Sequence, residues 1–189
     1  MISPMKLLSS ILFIALASSA LAEDWPTWRH DNRRSGVTSE NPDPATLDPL
    51  WVHREPSAPQ PAWHGTMQRD AWANIAGAKP ARAYDVAFNL IAADGKVFIA
   101  SSSGNACVAL DAATGAELWR HPVEGSVRIA PTFDSGKVYF GSDDGQVYCV
   151  NATTGVRIWA YRGASDTTLI PADNNCMSRY PSRTGVLIE

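Results

Sequence analysis

The sequence predicts an all-β fold built from repeated four-stranded units, and three observations support this prediction. First, a stretch of the 189-residue chain occurs twice: Ala100 to Trp119 reads ASSSGNACVALDAATGAELW, and Gly141 to Trp159 reads GSDDGQVYCVNATTGVRIW. Second, short runs of β-forming residues alternate with glycine-containing turns, as in an antiparallel meander. Third, no window sustains the i, i+3, i+4, i+7 apolar pattern of an amphipathic helix. Strands are therefore expected throughout the repeated region.

The second copy predicts four strands in order, joined by three turns. In each turn a glycine supplies the positive φ that a tight turn requires. The turns are Asp134 to Gly136, Asp143 to Gly145 and Thr153 to Gly155. The expected strands are Val127 to Phe133, Lys137 to Gly141, Gln146 to Asn151 and Val156 to Tyr161.

The spacing of the two copies points to a β-propeller. Gly95 to Phe98 (GKVF) recurs 41 residues later as GKVY, whereas Thr114-Gly115 recurs after 40 residues, so the first copy has one extra residue near Asn105-Ala106. A bulge or a longer turn accommodates such an insertion. Units of about 40 residues and four strands are typical of propeller blades, which must stack to bury both faces. Trp119 and Trp159 are predicted to lie between blades, each with a partner for its indole N–H.

The repeat resembles that of the pyrroloquinoline-quinone-type propellers, the quinoprotein alcohol dehydrogenase-like group. Its motif is A-x-D-x-x-T-G-x-x-x-W, and the second copy departs from it only at Cys149 and Asn151. The segment Asp24 to Asp31 (DWPTWRHD) also looks like the opening of secreted bacterial members. The resemblance implies a propeller of four-stranded antiparallel blades. The motif residues are Asp111, Thr114, Gly115 and Trp119 in the first copy, and Asn151, Thr154, Gly155 and Trp159 in the second.

The chain divides into three predicted regions. Residues 1–22 have the Lys6, apolar core and Ala20-Leu21-Ala22 pattern of a cleaved signal peptide, which predicts a secreted or periplasmic protein; an uncleaved anchor is the alternative. Residues 23–84 form an N-terminal strand and an irregular region rich in proline and tryptophan. Residues 85–189 hold the blades, at about 85–121 and 122–162, with an inserted connection at 162–182 and the start of a further blade at 182–189.

This organisation is expected to be a partial propeller, with about two full blades and parts of others. Rings of this kind have four to eight blades. We therefore expect either the N-terminal part of a longer propeller or a truncated product, and the alternative is a chain that completes a ring with other chains.

Composition excludes some partners. Without residues 1–22 the chain has 15 basic and 19 acidic residues, since Lys6 is the only charge removed, and the balance of −4 argues against nucleic acid. The three cysteines cannot all pair within one chain, and no C-x-x-C pair is present. Cys107 and Cys149 are predicted to be small buried side chains, because both lie within strand-like runs.

Most polar clusters have a simple structural interpretation. Asp143-Asp144-Gly145 is better explained as a hairpin turn than as a calcium carboxylate pair, because the six to eight oxygens that calcium requires are missing. Asn151 fits a glycosylation sequon, but a side chain that caps a turn explains it better. No histidines have metal-ligand spacing. The basic cluster Arg29, His30, Arg33 and Arg34 is expected to be a solvated face rather than an anion site.

One recurrence suggests a ligand site. Arg128 and Arg183 occupy equivalent places at the start of the first strand of successive blades, and Asn89 lies near the corresponding place of the preceding blade. Since the first strand of a blade lines the central channel, two guanidiniums there could hold a carboxylate or another anion. The alternative is that both arginines pair with acidic residues of neighbouring loops.

Three functions remain open from the sequence. The first is a non-catalytic binding or scaffold module, with a protein or small molecule as the partner and no cofactor, no membrane span in the mature chain and no catalytic residue. The second, implied by the resemblance, is a quinoprotein dehydrogenase that uses PQQ and calcium. Such enzymes often have an adjacent Cys-Cys pair and an acid near the channel, and neither is seen here. The third is the sensor ectodomain of a longer protein.

Overall fold

The computed structural model describes residues 22–56, 89–172 and 175–189. The predicted signal peptide, apart from its last residue, and much of the irregular region at 23–84 lie outside the described residues. A short 3₁₀ helix, Pro44–Thr46, precedes ten strands. The strands are β1 (Asn89–Ala93), β2 (Lys96–Ser101), β3 (Ala106–Asp111), β4 (Glu117–Pro122), β5 (Thr132–Asp134), β6 (Lys137–Gly141), β7 (Gln146–Asn151), β8 (Arg157–Arg162), β9 (Leu169–Ala172) and β10 (Asn175–Ser178).

The strands form two antiparallel blades, which confirms the all-β prediction. Blade 1 has the order β1-β2-β3-β4 and blade 2 has the order β5-β6-β7-β8, so each is a simple meander. The two blades share their irregularities as well, because the pairing of the third with the fourth strand shifts register between Ala109 and Leu110 in blade 1, and between Cys149 and Val150 in blade 2.

The structure corrects two strand predictions and adds a hairpin. The first strand of blade 2 is only Thr132–Asp134, and the residues before it form a connection in which Pro131 lacks an N–H for ladder pairing. The last strand begins at Arg157 rather than at Val156. The inserted connection contains the two-stranded hairpin β9–β10. Residues 182–189 have no assigned strand, so a further blade beginning there stays a prediction.

Each blade has two different ends. The turns β1–β2 and β3–β4 lie side by side at one end, where Ala112 N donates to Gly95 O at 3.0 Å and Ala152 N donates to Gly136 O at 2.9 Å. We call this end the turn face. The β2–β3 and β6–β7 turns and the links between blades lie at the opposite end, which we call the connection face.

A shared core holds the two blades together. Phe98, Trp119 and Phe140 belong to one buried cluster that draws on both sheets, and Phe98 also stacks on Phe133 of blade 2 with ring centroids 6.0 Å apart. Burial of apolar side chains between sheets contributes roughly 1.5–3 kcal/mol for each large residue. Cys107 and Cys149 are buried within strands, as predicted.

The N-terminal segment crosses the innermost strands of both blades. Trp25 pairs with Ala92 of β1, and Pro26 O accepts a hydrogen bond of 2.7 Å from Phe133 N of β5. Asn32 Nδ2 then donates to Ile188 O near the end of the chain. The segment therefore ties blade 1, blade 2 and the final residues together. Among the described residues, no helix is long and apolar enough to cross a bilayer.

Candidate functional site: inter-blade joints and an ionic cluster

A tryptophan joint connects blade 1 to blade 2 at the turn face. Trp119 of β4 is 8% exposed, and its indole N–H donates to Ala152 O at 2.9 Å. The indole covers Gly155, where an added Cβ would lie 2.7 Å from the Trp119 ring. Gly155 has φ +69°, so the turn requires a residue that tolerates both the left-handed backbone and the ring contact.

A second joint of the same kind precedes blade 1. Trp51 donates from its indole N–H to Ala112 O at 2.9 Å, and a Cβ on Gly115 would lie 2.6 Å from its ring. Sequence reasoning missed Trp51, because it lies in the proline-rich region. The signal was present, since Leu50-Trp51 matches Leu118-Trp119.

The turn that receives each tryptophan is built by one side chain. Asp111 Oδ1 accepts hydrogen bonds from Thr114 N and Thr114 Oγ1, both at 2.8 Å. Asn151 Oδ1 accepts from Thr154 N at 2.9 Å and from Thr154 Oγ1 at 3.2 Å. Because only the side-chain oxygen accepts, aspartate and asparagine build the same turn. Its hydrogen bonds also lower the pKa of Asp111, with Thr114 as the main cause.

A histidine reinforces the joint between the blades. His121 Nδ1 lies 2.9 Å from Gly155 O, and since a carbonyl only accepts, Nδ1 carries the proton. Burial lowers the pKa of His121, and the positive charge of Arg157 acts in the same direction. His121 and Tyr148 also line an inter-blade groove of about 420 Å³ with Glu124, Gln146 and Arg157.

Trp159 ends blade 2 in the same way but covers no turn. It is 42% exposed, and its described ring contact is Tyr139 of its own blade, with centroids 6.0 Å apart. Within the described part of the chain, its indole N–H makes no hydrogen bond. Both closing tryptophans were predicted to lie between blades. Trp119 does so, whereas Trp159 contacts no second blade among the described residues.

An ionic cluster lies on the connection face. Arg128 Nε donates to Asp143 Oδ2 at 2.7 Å. Arg183 donates from Nε to Oδ1 at 2.7 Å and from Nη2 to Oδ2 at 2.9 Å, a two-pronged contact. The structure brings the two predicted arginines together on the chain's own carboxylate, which is the alternative arrangement. Asn89 joins them, because its Nδ2 donates to Arg128 O.

The neighbouring carboxylate is also buried and bonded. Asp144 Oδ2 accepts from Tyr148 Oη at 2.7 Å, and Asp144 Oδ1 accepts from Gln146 N at 2.9 Å. Burial and the hydrogen bond to Asp144 raise the pKa of Tyr148 well above its usual range. The sequence suggested that a hairpin turn explains Asp143-Asp144. The structure shows that the turn is not the full explanation, because both side chains are buried.

The backbone of the same turn connects three parts of the chain. Asp143 N donates to Ser126 O at 2.9 Å, and Asp143 O accepts from Ser178 N of β10 at 2.6 Å. A Cβ on Gly125 would lie 2.3 Å from Asp144 N, so the inter-blade link passes directly against the turn. The cluster thus fixes blade 2, the link from blade 1 and the inserted hairpin in one arrangement.

Blade 1 has a different residue at the corresponding place. With the 41-residue spacing of Gly95 and Gly136, Ser102 corresponds to Asp143. Ser102 Oγ is buried and has no hydrogen-bond partner among the described residues, and Asn105 with φ +46° is the extra residue of this turn. The ionic cluster is therefore particular to blade 2.

The chemistry around Asp143 and Asp144 does not suit these two carboxylates to hold a calcium-bound quinone. Both oxygens of Asp143 accept from arginines, and the cations beside it oppose a divalent metal. Asp144 is already bonded to Tyr148 and Gln146. Within the described ranges, no group of three or more histidine, cysteine or acidic side chains could hold a metal ion.

The predicted basic cluster surrounds an aromatic ring. The Arg34 guanidinium lies 5.1 Å and that of Arg29 6.0 Å from the centre of the Trp28 ring. His30 Nε2 lies 3.2 Å from Glu23 Oε1. Arg29, His30 and Arg34 thus make contacts within the N-terminal segment.

The inserted hairpin exposes apolar side chains near the connection face. Leu169 and Ile170 of β9 and Tyr180 after β10 are all exposed. Arg179 N donates to Thr168 O at 3.0 Å and closes the base of the hairpin. Because consecutive side chains of a strand point to opposite faces, each face of this hairpin has an exposed apolar side chain.

The repeated region of the chain matches a known protein family. Residues 43–182 match a PQQ-like repeat family described as outer membrane protein assembly factor BamB. The chain belongs to this family. The match spans both tryptophan joints, the two blades and the inserted hairpin.

The individual proteins that match have low sequence identity to this chain. The serine/threonine-protein kinase AfsK of Streptomyces coelicolor is 27% identical over 166 residues, which cover 77% of this chain and 20% of the kinase. Among solved structures, BamB of Moraxella catarrhalis is 21% identical, with a TM-score of 0.34, covering 47% of this chain and 32% of that one. Quinohemoprotein alcohol dehydrogenase of Comamonas testosteroni is 20% identical, with a TM-score of 0.48, covering 77% of this chain and 20% of that one. The chain thus spans only a fifth to a third of these proteins.

Proposed function

We propose that the chain is part of a secreted or periplasmic PQQ-like propeller that acts as a non-catalytic scaffold and binds a protein through the β9–β10 hairpin. The exposed side chains of Leu169, Ile170 and Tyr180 are the main support. They lie on an insertion that the first inter-blade link lacks, and variable loops on a rigid sheet scaffold commonly bind partners.

The ionic cluster supports a scaffold more than a catalyst. Arg128 and Arg183 would be the natural binding groups at the channel, but Asp143 holds both. Their charges stabilise the chain's own turn, and the same turn anchors the hairpin through Ser178. The cluster would therefore hold the proposed binding surface in a fixed position.

Crosslinking tests this proposal directly. A photoreactive amino acid at position 169 or 170 of the full protein should crosslink to one partner in the host cell, whereas the same group at Leu118, which is also exposed, should not. The variant Leu169→Ala/Ile170→Ala/Tyr180→Ala should weaken binding of the purified partner at least tenfold, and Leu118→Ala should leave it unchanged. Equal crosslinking at both places would contradict the proposal.

A sensor domain is the second candidate, because the relative AfsK is named as a kinase and contains a region similar to this chain. A small ligand of such a sensor would raise the melting temperature without turnover. Adding PQQ and calcium tests the enzymatic alternative in the same format: reduction of a dye with an alcohol substrate would favour a dehydrogenase and count against both other functions.

A further inference from the structure

We propose that the inter-blade groove beside His121 binds a small zwitterion, an amino acid or a dipeptide, with its ammonium group toward Glu124 and its carboxylate toward Arg157. The groove has a volume of about 420 Å³, which lies in the range of roughly 300–1,000 Å³ that is usual for small-ligand sites. This inference does not rest on the proposed function, because the groove lies between the blades and not on the hairpin.

The joint that precedes blade 1 shows how the chain itself fills the corresponding place. Arg120 of β4 donates from Nη2 to Glu117 Oε2 at 2.8 Å and from Nη1 to Glu55 Oε2 at 3.3 Å. His53, which follows Trp51 by two residues as His121 follows its tryptophan, lies 3.4 Å from the other oxygen of Glu55. The guanidinium of Arg120 thus bridges two carboxylates across this joint.

The joint between the two blades lacks such a bridge. Ala160 lies 40 residues after Arg120, so a methyl group replaces the bridging side chain. Arg157 lies 40 residues after Glu117, so a cation replaces one of the two anchoring acids. Arg157 and Glu124 both line the groove and are exposed, and among the described residues neither has an ion-pair partner. A group that bridges them must therefore carry both charges.

The groove offers acceptors for the three N–H groups of an ammonium. His121 Nδ1 donates to Gly155 O, so Nε2 is an acceptor, and it has no partner in the described part of the chain. Gln146 donates from Nε2 to Tyr148 Oη at 3.0 Å, which leaves its Oε1 as a second acceptor. The carboxylate of Glu124 is the third acceptor and supplies the opposite charge.

The electrostatics of the groove agree with this arrangement. Burial and the hydrogen bond to Asp144 raise the pKa of Tyr148; Glu124 adds to this effect and Arg157 opposes it. Both charges therefore act near one hydroxyl, within reach of one small molecule. Burial lowers the pKa of His121, which keeps the imidazole neutral and Nε2 an acceptor at pH 7. The planar guanidinium of Arg157 suits a carboxylate, which it can bind with two parallel N–H donors.

Titration of the full protein with leucine and with glycyl-leucine tests the proposal, with the NMR signals of the His121 ring as the readout. The apolar side chain of both probes suits Pro122 and Val123, which line the groove. At least one probe should shift these signals saturably, and the tighter of the two shows whether the site takes an amino acid or a peptide. The N-acetylated and the C-amidated form of that probe each lack one charge. Both should bind at least about tenfold more weakly, because hydrogen bonds between charged groups are the strong ones.

Variants separate the groove from the rest of the molecule. Arg157→Gln and Glu124→Gln should each weaken binding at least about tenfold. Glu117→Gln, the matched change in blade 1, should leave binding unchanged. The absence of a shift with both zwitterions, equal binding of the blocked probes, or unchanged binding in either groove variant would overturn the proposal. None of these results would alter the crosslinking expected at the hairpin, so the two proposals fail separately.

Discussion

The turn face and the connection face of the blades differ in how closely their residues repeat. At the turn face, Asp111 and Asn151 build the same turn, and the same glycine receives a tryptophan in each blade. At the connection face, Ser102 stands where Asp143 holds two arginines. The turn face repeats because every blade must fit its neighbour there. The connection face is free to vary, and this chain places its charges and its inserted hairpin there.

The largest expected effect tests the connection face. Asp143→Ala leaves the partly buried Arg128 without this carboxylate and releases Arg183. Removing one partner of a buried ion pair costs about 3–5 kcal/mol, and we expect about 3 kcal/mol, because Arg183 is partly solvated. Urea unfolding measures the loss. Ser102→Ala is the matched change in blade 1 and should be close to neutral, because the hydroxyl has no hydrogen-bond partner in the described part of the chain. Equal losses in both blades would mean that the two turns do not differ as described.

The next effect tests the turn face. Gly155→Ala puts a Cβ against the Trp119 ring and also strains a left-handed backbone. Gly136→Ala has a similar φ of +75° but no atom within 4 Å of the new Cβ. Gly136→Ala should destabilise the protein by about 1 kcal/mol, and Gly155→Ala by about 1 kcal/mol more, from overpacking against the ring. Thermal and urea unfolding of the pair would separate ring contact from backbone strain, and identical losses would argue against a tight joint.

A smaller effect separates a filled joint from an open one. Trp119→Phe keeps most of the apolar surface but loses the hydrogen bond to Ala152 O, and this should cost about 1 kcal/mol or somewhat more. Trp159→Phe should change the stability by less than about 0.5 kcal/mol, as is usual for exposed positions. If Trp159→Phe were the more damaging, the indole would have a partner within the chain.

The smallest effect is a pH dependence of the joint at His121. Because burial lowers the pKa of His121 in the folded protein, the unfolded chain binds more protons below about pH 6.5. The stability that the neutral imidazole preserves is present above this pH and is lost as the pH falls toward the folded pKa. The urea midpoint of the wild type should therefore drop more between pH 7.5 and 5.5 than that of His121→Gln. Parallel pH profiles would show that His121 titrates normally.

Only part of the candidate site could be predicted from the sequence. The tryptophan joint was predictable, because a large side chain and a Thr-Gly turn recur at fixed spacing. Trp51 escaped notice, since the proline-rich residues around it hide the repeat. The carboxylate at Asp143 was not predicted as the partner of Arg128 and Arg183. Turn propensity explains Gly145, but it does not indicate which arginines a single acid contacts 15 and 40 residues away along the chain.

The sequence by itself determined the all-β class, the four-strand repeat and the positions of most turns, because these depend on local φ preferences and on a period that neighbours must share. Only the tertiary structure decided which charges meet, which tryptophan is covered and how short β5 is. Those outcomes depend on the distance between residues that lie far apart along the chain. The type of a side chain does not determine which distant residues come close to it. The closing tryptophans of the two blades, which occupy the same repeat position, are therefore buried at Trp119 and exposed at Trp159.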